Sequence, residues 1–254
     1  VTNRRSLHIG INYEGTANEL YGCVNDALDW ARAARARGYD TRTLLDVDAT
    51  RVNVLAILRE AVDATRYRDR LFITYSGHGT KVPDADGDEA DGFDEALVCA
   101  DMRLVTDDEL HAVFSARHRG ARVVFVADSC FSGTVQRAFG DPTIGRPRYL
   151  PPAQLLDAVA VTRAVRLEEA ARPTKPSRVT ALLLSAARET EVAYDAEIGG
   201  RARGAFTAAA LDALAEQPAD YRAWHASIEL PSQDFPQTPQ LGATWAQRRW
   251  KVLD

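Results

Sequence analysis

The stretch RLFITYSGHG, residues 70–79, decides the fold. An apolar run of β-branched, aromatic and aliphatic residues, cut off by Ser-Gly-His-Gly, reads as a strand of a mostly parallel sheet. ARVVFVADSCFSG, residues 121–133, repeats the pattern and ends in Asp128, Ser129 and Cys130. Working outward, SLHIGINY (6–13), TRTLL (41–45) and VTALLLSAA (179–187) read as further strands, DEALVCAD (94–101) as a short added strand or hairpin arm and FPQTPQLGATW (235–245) as an edge strand. Helical patterns lie between them. CVNDALDWARAARARGY (23–39) sets Val24, Leu28 and Ala31 on one face and is stopped by Gly38, and TRVNVLAILREAVDATR (50–66) carries Val54, Ile57, Leu58 and Ala61 at helical spacing. TDDELHAVFSARH (106–118) is capped by Thr106 with acid in its first turn, and GAFTAAALDALAEQ (204–217) is a last helix. This alternation predicts an α/β fold, a mostly parallel central sheet flanked by helices on both faces.

The bulk numbers fit a folded globular chain: 254 residues, 46% hydrophobic, 26% charged, net charge -5. A mildly acidic balance argues against nucleic acid as a partner, since such binding needs a basic surface that displaces counterions. No apolar run approaches the roughly 20 residues of a spanning helix, and VTNRRSLHIGI at the start lacks the apolar core of a secretory signal, so no membrane association is expected. Cys23, Cys99 and Cys130 are an odd number without CxxC spacing, which favours a reducing cytoplasm over a disulfide framework or structural zinc.

Ligand sites in such sheets lie beyond the carboxyl ends of the strands. Two strands end there in reactive residues, His78 between two glycines and Cys130 after Asp128. If the strands are neighbours, an imidazole faces a thiol: it takes the thiol's proton, the thiolate attacks a carbonyl, and the imidazole then protonates the leaving amine. Backbone N–H groups of Gly79 and Cys130 are placed to hold the resulting oxyanion. Taken singly, a lone His or Cys reads more simply as a packed core residue, and it is the pair that points to catalysis.

YSGHG with DSCFSG resembles the caspase clan, in which about 50 residues separate histidine from cysteine; here the separation is 52. The caspase QAC signature is missing. GINYEGTANELYGCVNDA, SGHG, DADGDEADGFDEALVCAD, TDDELH and DSCFSG together resemble metacaspases and their bacterial relatives, the orthocaspases, over residues 7–137, and 179–216 resembles the family's smaller C-terminal subunit region more weakly. The resemblance implies a large-subunit-like region (1–139), an Arg/Pro-rich linker (140–178) and a small-subunit-like region (179–254) within one caspase-like domain. It also implies a cysteine endopeptidase that cuts after Arg or Lys, with Asp26, Cys23, Ser76 and Asp128 lining the pocket for the basic side chain. A carboxylate suits that task, because a guanidinium is held best by a planar bidentate partner. The simpler readings are an exposed Asp26 in a first helical turn and a small core residue at Cys23; Cys23 as nucleophile is weaker still, since nothing near it supplies a base.

The acidic run 84–95 suits calcium by its oxygen density, but Glu89 stands where an EF-hand loop needs Gly. The resemblance implies calcium held by Asp94, Asp107 and Asp108, with Arg137 replacing a fourth family ligand; a solvated acidic loop is the alternative. No other cofactor is required for the chemistry. The resemblance also implies a self-processing proenzyme, for which the 134–178 connection, read as mobile, offers Arg137, Arg146, Arg148, Arg163, Arg166, Arg172, Lys175 and Arg178 as cut sites. Expected partners are protein or peptide substrates with a basic residue before the cut, and the chain is expected to be a monomer. Two rivals are an inactive caspase-like module that binds basic peptides, and a serine hydrolase, against which the absence of a GxSxG elbow counts.

Overall fold

In the computed structural model, which describes residues 2–83, 92–131, 145–155, 158, 181–232 and 235–254, β1 (Arg4–Gly10), β2 (Asp40–Leu45), β3 (Arg70–Ser76), β7 (Arg122–Asp128), β9 (Leu182–Ser185) and β12 (Gln240–Gly242) form one sheet. Their order is β12-β9-β7-β3-β1-β2, with every neighbour parallel except the edge strand β12. β1 pairs with β2 on one side and β3 on the other, so the strand order reverses between β1 and β3 and opens a crevice at their carboxyl ends.

Period-two alternation builds two cores. In β3, Leu71 and Ile73 face one way and Phe72 the other; in β7, Val123 and Phe125 oppose Val124 and Val126. The first face packs under α2 (Arg51–Asp63) and α3 (Asp107–Ser115) through Val54, Leu58, Leu110 and Phe114. The second packs under α1 (Cys23–Arg35), α4 (Ala205–Ala215) and α5 (Tyr221–Ala226) through Trp30, Phe206 and Trp224. Helices therefore cover both faces, as the sequence predicts. Thr50 and Thr106 cap α2 and α3, the latter in a reciprocal capping box with Glu109.

Three expectations need correction. α1 buries Cys23, Asp26, Ala27, Trp30, Ala31 and Ala34, while Leu28 is exposed and Val24 only half-buried, because the helix turns its Cys23–Ala27–Trp30–Ala34 stripe to the sheet. The first strand stops at Gly10, and the chain leaves the sheet through Tyr13, whose φ is +54°. The connection read as mobile is, over 145–155, a bound segment: β8 (Arg146–Pro147) pairs antiparallel with β10 (Tyr194–Ile198), and Tyr149, Leu150 and Leu155 are buried. β10 also pairs with β11 (Arg201–Gly204), while β4 (Gly79–Pro83), β5 (Phe93–Val98) and β6 (Leu104–Thr106) make a separate antiparallel sheet. No helix among the described residues is long and apolar enough to cross a membrane.

Candidate active site

Adjacent parallel strands fix the first juxtaposition. Ser76 of β3 is level with Asp128 of β7, so His78 and Cys130, each two residues further on, leave neighbouring strands, about 4.8 Å apart, at the same height. The two loops touch: the Gly77 N–H donates to the Asp128 carbonyl at 3.4 Å, and any Cβ on Gly79 would collide with the Cys130 carbonyl. Glycine at 79 is thus a requirement of close approach.

The His78 ring is held by main chain that sequence reasoning did not single out. Nε2 lies 2.7 Å from the Asn18 carbonyl, in the loop that follows β1. A carbonyl only accepts, so Nε2 carries the hydrogen and Nδ1 keeps its lone pair. Nδ1 is buried and has no hydrogen-bond partner among the described residues. Two tyrosines clamp the His78 peptide: its N–H donates to the Tyr13 hydroxyl at 3.0 Å, and the Tyr75 hydroxyl donates to its carbonyl at 2.7 Å. The Tyr13 ring also lies 4.7 Å from the imidazole. Burial lowers the His78 pKa to about 4, against the pull of the Asn18 hydrogen bond, and pushes the Cys130 thiol up to about 12, where backbone hydrogen bonds from Ala193 and Arg148 act against it. As folded, the pair is a neutral imidazole and a neutral thiol.

Beside the thiol lies the chain's own Arg148. Its carbonyl accepts from the Gly79 N–H at 3.0 Å and the Cys130 N–H at 3.3 Å, the two donors expected to hold an oxyanion. Its own N–H donates to Ala193 at 2.9 Å, and the Leu150 N–H donates to Gly79 at 2.9 Å, so residues 146–150 are hydrogen-bonded along the cleft on both sides.

The Arg148 side chain, 0% exposed, ends among three carboxylates. Nη2 reaches Asp26 at 2.7 Å and Asp195 at 2.9 Å, and Nη1 reaches Asp128 at 3.1 Å. Asp128 also accepts from the Thr207 N–H and hydroxyl at 3.0 and 2.6 Å, Asp26 from the Gly204 N–H at 3.0 Å, and Asp195 from the Tyr21 and Gly22 N–H groups at 2.7 and 2.9 Å. Burial raises the Asp26 pKa to about 7, with the guanidinium opposing it. Three buried acids around one cation are stable only while the cation is there. Gly204 has a Cβ-sized exclusion against Asp128 and the guanidinium, which keeps this corner free for an arginine.

Asp26 and Asp128 therefore meet at the Arg148 guanidinium. Cys23 is buried close enough for all four charges to act on its thiol, and Ser76 is buried with no hydrogen-bond partner for its hydroxyl among the described residues; neither is hydrogen-bonded to the guanidinium. Asp195 and Thr207 were missed. A signal was present for the first, since Gly199-Gly200 between two short runs marks the β10–β11 hairpin that carries it.

Asp94 opens the buried part of β5, and Asp107 and Asp108 begin α3 across the β5–β6 pair. Among the described residues no group of three or more His, Cys, Asp or Glu is placed to hold a metal ion. Residues 84–91 of the acidic run, with Arg137, Arg163, Arg166, Arg172, Lys175 and Arg178, lie outside the described residues. An apolar cavity of about 290 Å³ lined by Leu110, Phe114, Phe125, Phe131 and Leu183 contains neither His78, Cys130 nor the three acids, and takes no part in this arrangement.

A family model described as metacaspase, peptidase C14 domain, matches residues 4–138. Metacaspase-1A of Aspergillus fumigatus is 31% identical over 85% of this chain and 62% of its own length, so this chain spans under two thirds of that relative; metacaspase-1B of Neosartorya fischeri is 30% identical over 97% of this chain and 70% of its own. The crystal structure of protein GSU0716 from Geobacter sulfurreducens is similar with a TM-score of 0.79 at 30% identity, covering 99% of this chain and 98% of that one.

Proposed function

Because the chain belongs to the metacaspase family, we propose that it is a cysteine endopeptidase that cuts after arginine or lysine and that processes itself at the bond between Arg148 and Tyr149. The observation that carries the reading is Arg148, with its carbonyl on the Gly79 and Cys130 N–H groups and its guanidinium on Asp26, Asp128 and Asp195.

In the proposed reaction, Cys130 Sγ attacks the carbonyl carbon on the amino side of the cut bond while its proton passes to His78 Nδ1. The oxygen takes the electron pair and is held by the two N–H groups, which face it without reorganisation. As the C–N bond breaks, His78 returns the proton to the departing amine and a thioester is left. Water then attacks the thioester, giving its proton to His78; the acid leaves and the thiol is reformed. Asn18 keeps the imidazole in the tautomer this requires, as an orienting acceptor does for other catalytic histidines. The alternative, a module that only binds basic peptides, lacks a reason for an Nδ1 that has no partner among the described residues at the height of a cysteine.

Calcium enters the proposal as a modulator and not as a reactant. Asp94, Asp107 and Asp108 are not grouped to hold a metal among the described residues, so a calcium site would have to draw on ligands beyond them; equal activity in excess chelator and in added calcium removes it. Three free, buried cysteines fit a reducing, cytoplasmic setting. The test of the whole reading is hydrolysis of peptides that differ only in the residue before the cut, by wild type and by Cys130→Ala. Turnover confined to Arg and Lys peptides and to wild type is expected; equal turnover of Asp or Leu peptides overturns the specificity, and activity in Cys130→Ala overturns the mechanism.

A further inference from the structure

The segment in the cleft carries a second arginine with a seat of its own. Arg146, two residues before Arg148, sets its guanidinium 4.1 Å from the centre of the Tyr21 ring. Nη1 donates to the Glu19 carbonyl at 2.6 Å and Nη2 to the Tyr21 hydroxyl at 2.7 Å. The backbone of Arg146 pairs with Asp195, which accepts from the Tyr21 N–H. The loop from Asn18 to Gly22 thus touches His78, Asp195 and Arg146 at once, and its shelf stands in fixed register with the bond that would be cut.

Accepting the proposed peptidase activity as a premise, we infer that Tyr21 and the Glu19 carbonyl form a second basic subsite that selects arginine at the third position before the cut, so that the preferred substrate class is Arg-X-Arg. The chemistry favours arginine over lysine. A planar guanidinium stacks on the ring and forks two donors to two acceptors, whereas an ammonium does only part of this. The contact of Glu19 with the guanidinium is through its carbonyl, while Oε1 of its carboxylate accepts from the Gly15 N–H at 3.4 Å. Tyr21 is 48% exposed, so the subsite grades substrates rather than excluding them.

The test uses four fluorogenic peptides, acetyl-Xaa-Pro-Arg-aminomethylcoumarin with Arg, Lys, Ala or Glu at the first position, assayed on one preparation because all compete with the chain's own segment. In wild type, kcat/KM for the Arg peptide should exceed that for Ala about tenfold, with Lys between them and Glu lowest. In Tyr21→Ala the Arg-to-Ala ratio should fall below about twofold, and Tyr21→Phe, which keeps the stack and loses one acceptor, should lie between. Equal cleavage of all four by wild type, or an unchanged ratio in Tyr21→Ala, overturns the subsite and leaves the peptidase reading standing. Failure of wild type to cut any of them overturns that reading, and the subsite with it.

Discussion

Arg146 and Arg148 are two residues apart on one bound segment and meet opposite surroundings. Arg148 is fully buried among Asp26, Asp128 and Asp195, whereas Arg146 lies on an exposed tyrosine. In a buried site, removing the cation leaves uncompensated charge, so the pocket demands a basic residue. On a solvated surface the same side chain adds a modest preference that the loss of one partner only weakens. Necessity and preference are thus separated by one pleat.

The comparison can be broken at several points. The largest effect is expected from Cys130→Ala, which removes self-cleavage and peptide hydrolysis together while the chain stays folded, as gel analysis and circular dichroism would show; any fragment from the variant counts against the thiol. Arg148→Gln comes next. With three acids left alone, it should lose about 3–5 kcal/mol of stability, and Arg148→Lys should recover part of it. The sign with pH follows from linkage. Burial raises the Asp26 pKa to about 7 with the guanidinium opposing it; without the guanidinium burial acts unopposed and raises it further, so the folded variant holds a proton that folded wild type gives up and the deficit grows as pH rises above about 7. Thermal melts of Arg148→Gln and wild type at pH 6 and pH 8 read this directly, and a deficit independent of pH contradicts it. Gly204→Ala should cost about 1–3 kcal/mol by forcing a methyl against Asp128 and the guanidinium, and should raise KM for arginine peptides more than it lowers kcat. Arg146→Ala should change stability by no more than about 0.5–1 kcal/mol.

A pH profile sharpens the contrast between the closed and the open cleft. With the segment in place His78 titrates at about 4, so self-cleavage should keep its base unprotonated well below pH 6. Peptides reach the dyad only when the segment has left and water has entered, which returns His78 toward its ordinary value near 6.5. The acid limb of peptide hydrolysis should therefore lie above that of self-cleavage. Coincident limbs in quench-flow and peptide assays would show that the segment does not seal the imidazole.

Much of this was legible in the residues. The apolar runs of β3 and β7 are so continuous that their bounds and the reactive residues beyond them can be read directly, and family resemblance then points to Asp26 and Asp128. What escaped did so for physical reasons. The Asn18 acceptor is a carbonyl and leaves no mark in residue type. Asp195 sits on a short hairpin whose strands are too mixed in polarity for periodicity to register, although Gly199-Gly200 betrays the turn. Leu28 misled because apolar spacing alone does not say which stripe of α1 meets the sheet, and the stripe chosen is the one that brings Asp26 inward. Arg148 was one of eight basic residues in the connection, and only the register of β8 on β10 separates it from the rest.

The most direct measurement is the intact mass and N-terminal sequence of the fragments that wild type releases on incubation, beside Cys130→Ala. The account predicts one early cut, with a new N-terminus at Tyr149 and a partner fragment that ends in Arg148. A first cut after any other residue, or an intact wild-type chain that hydrolyses arginine peptides, would contradict it.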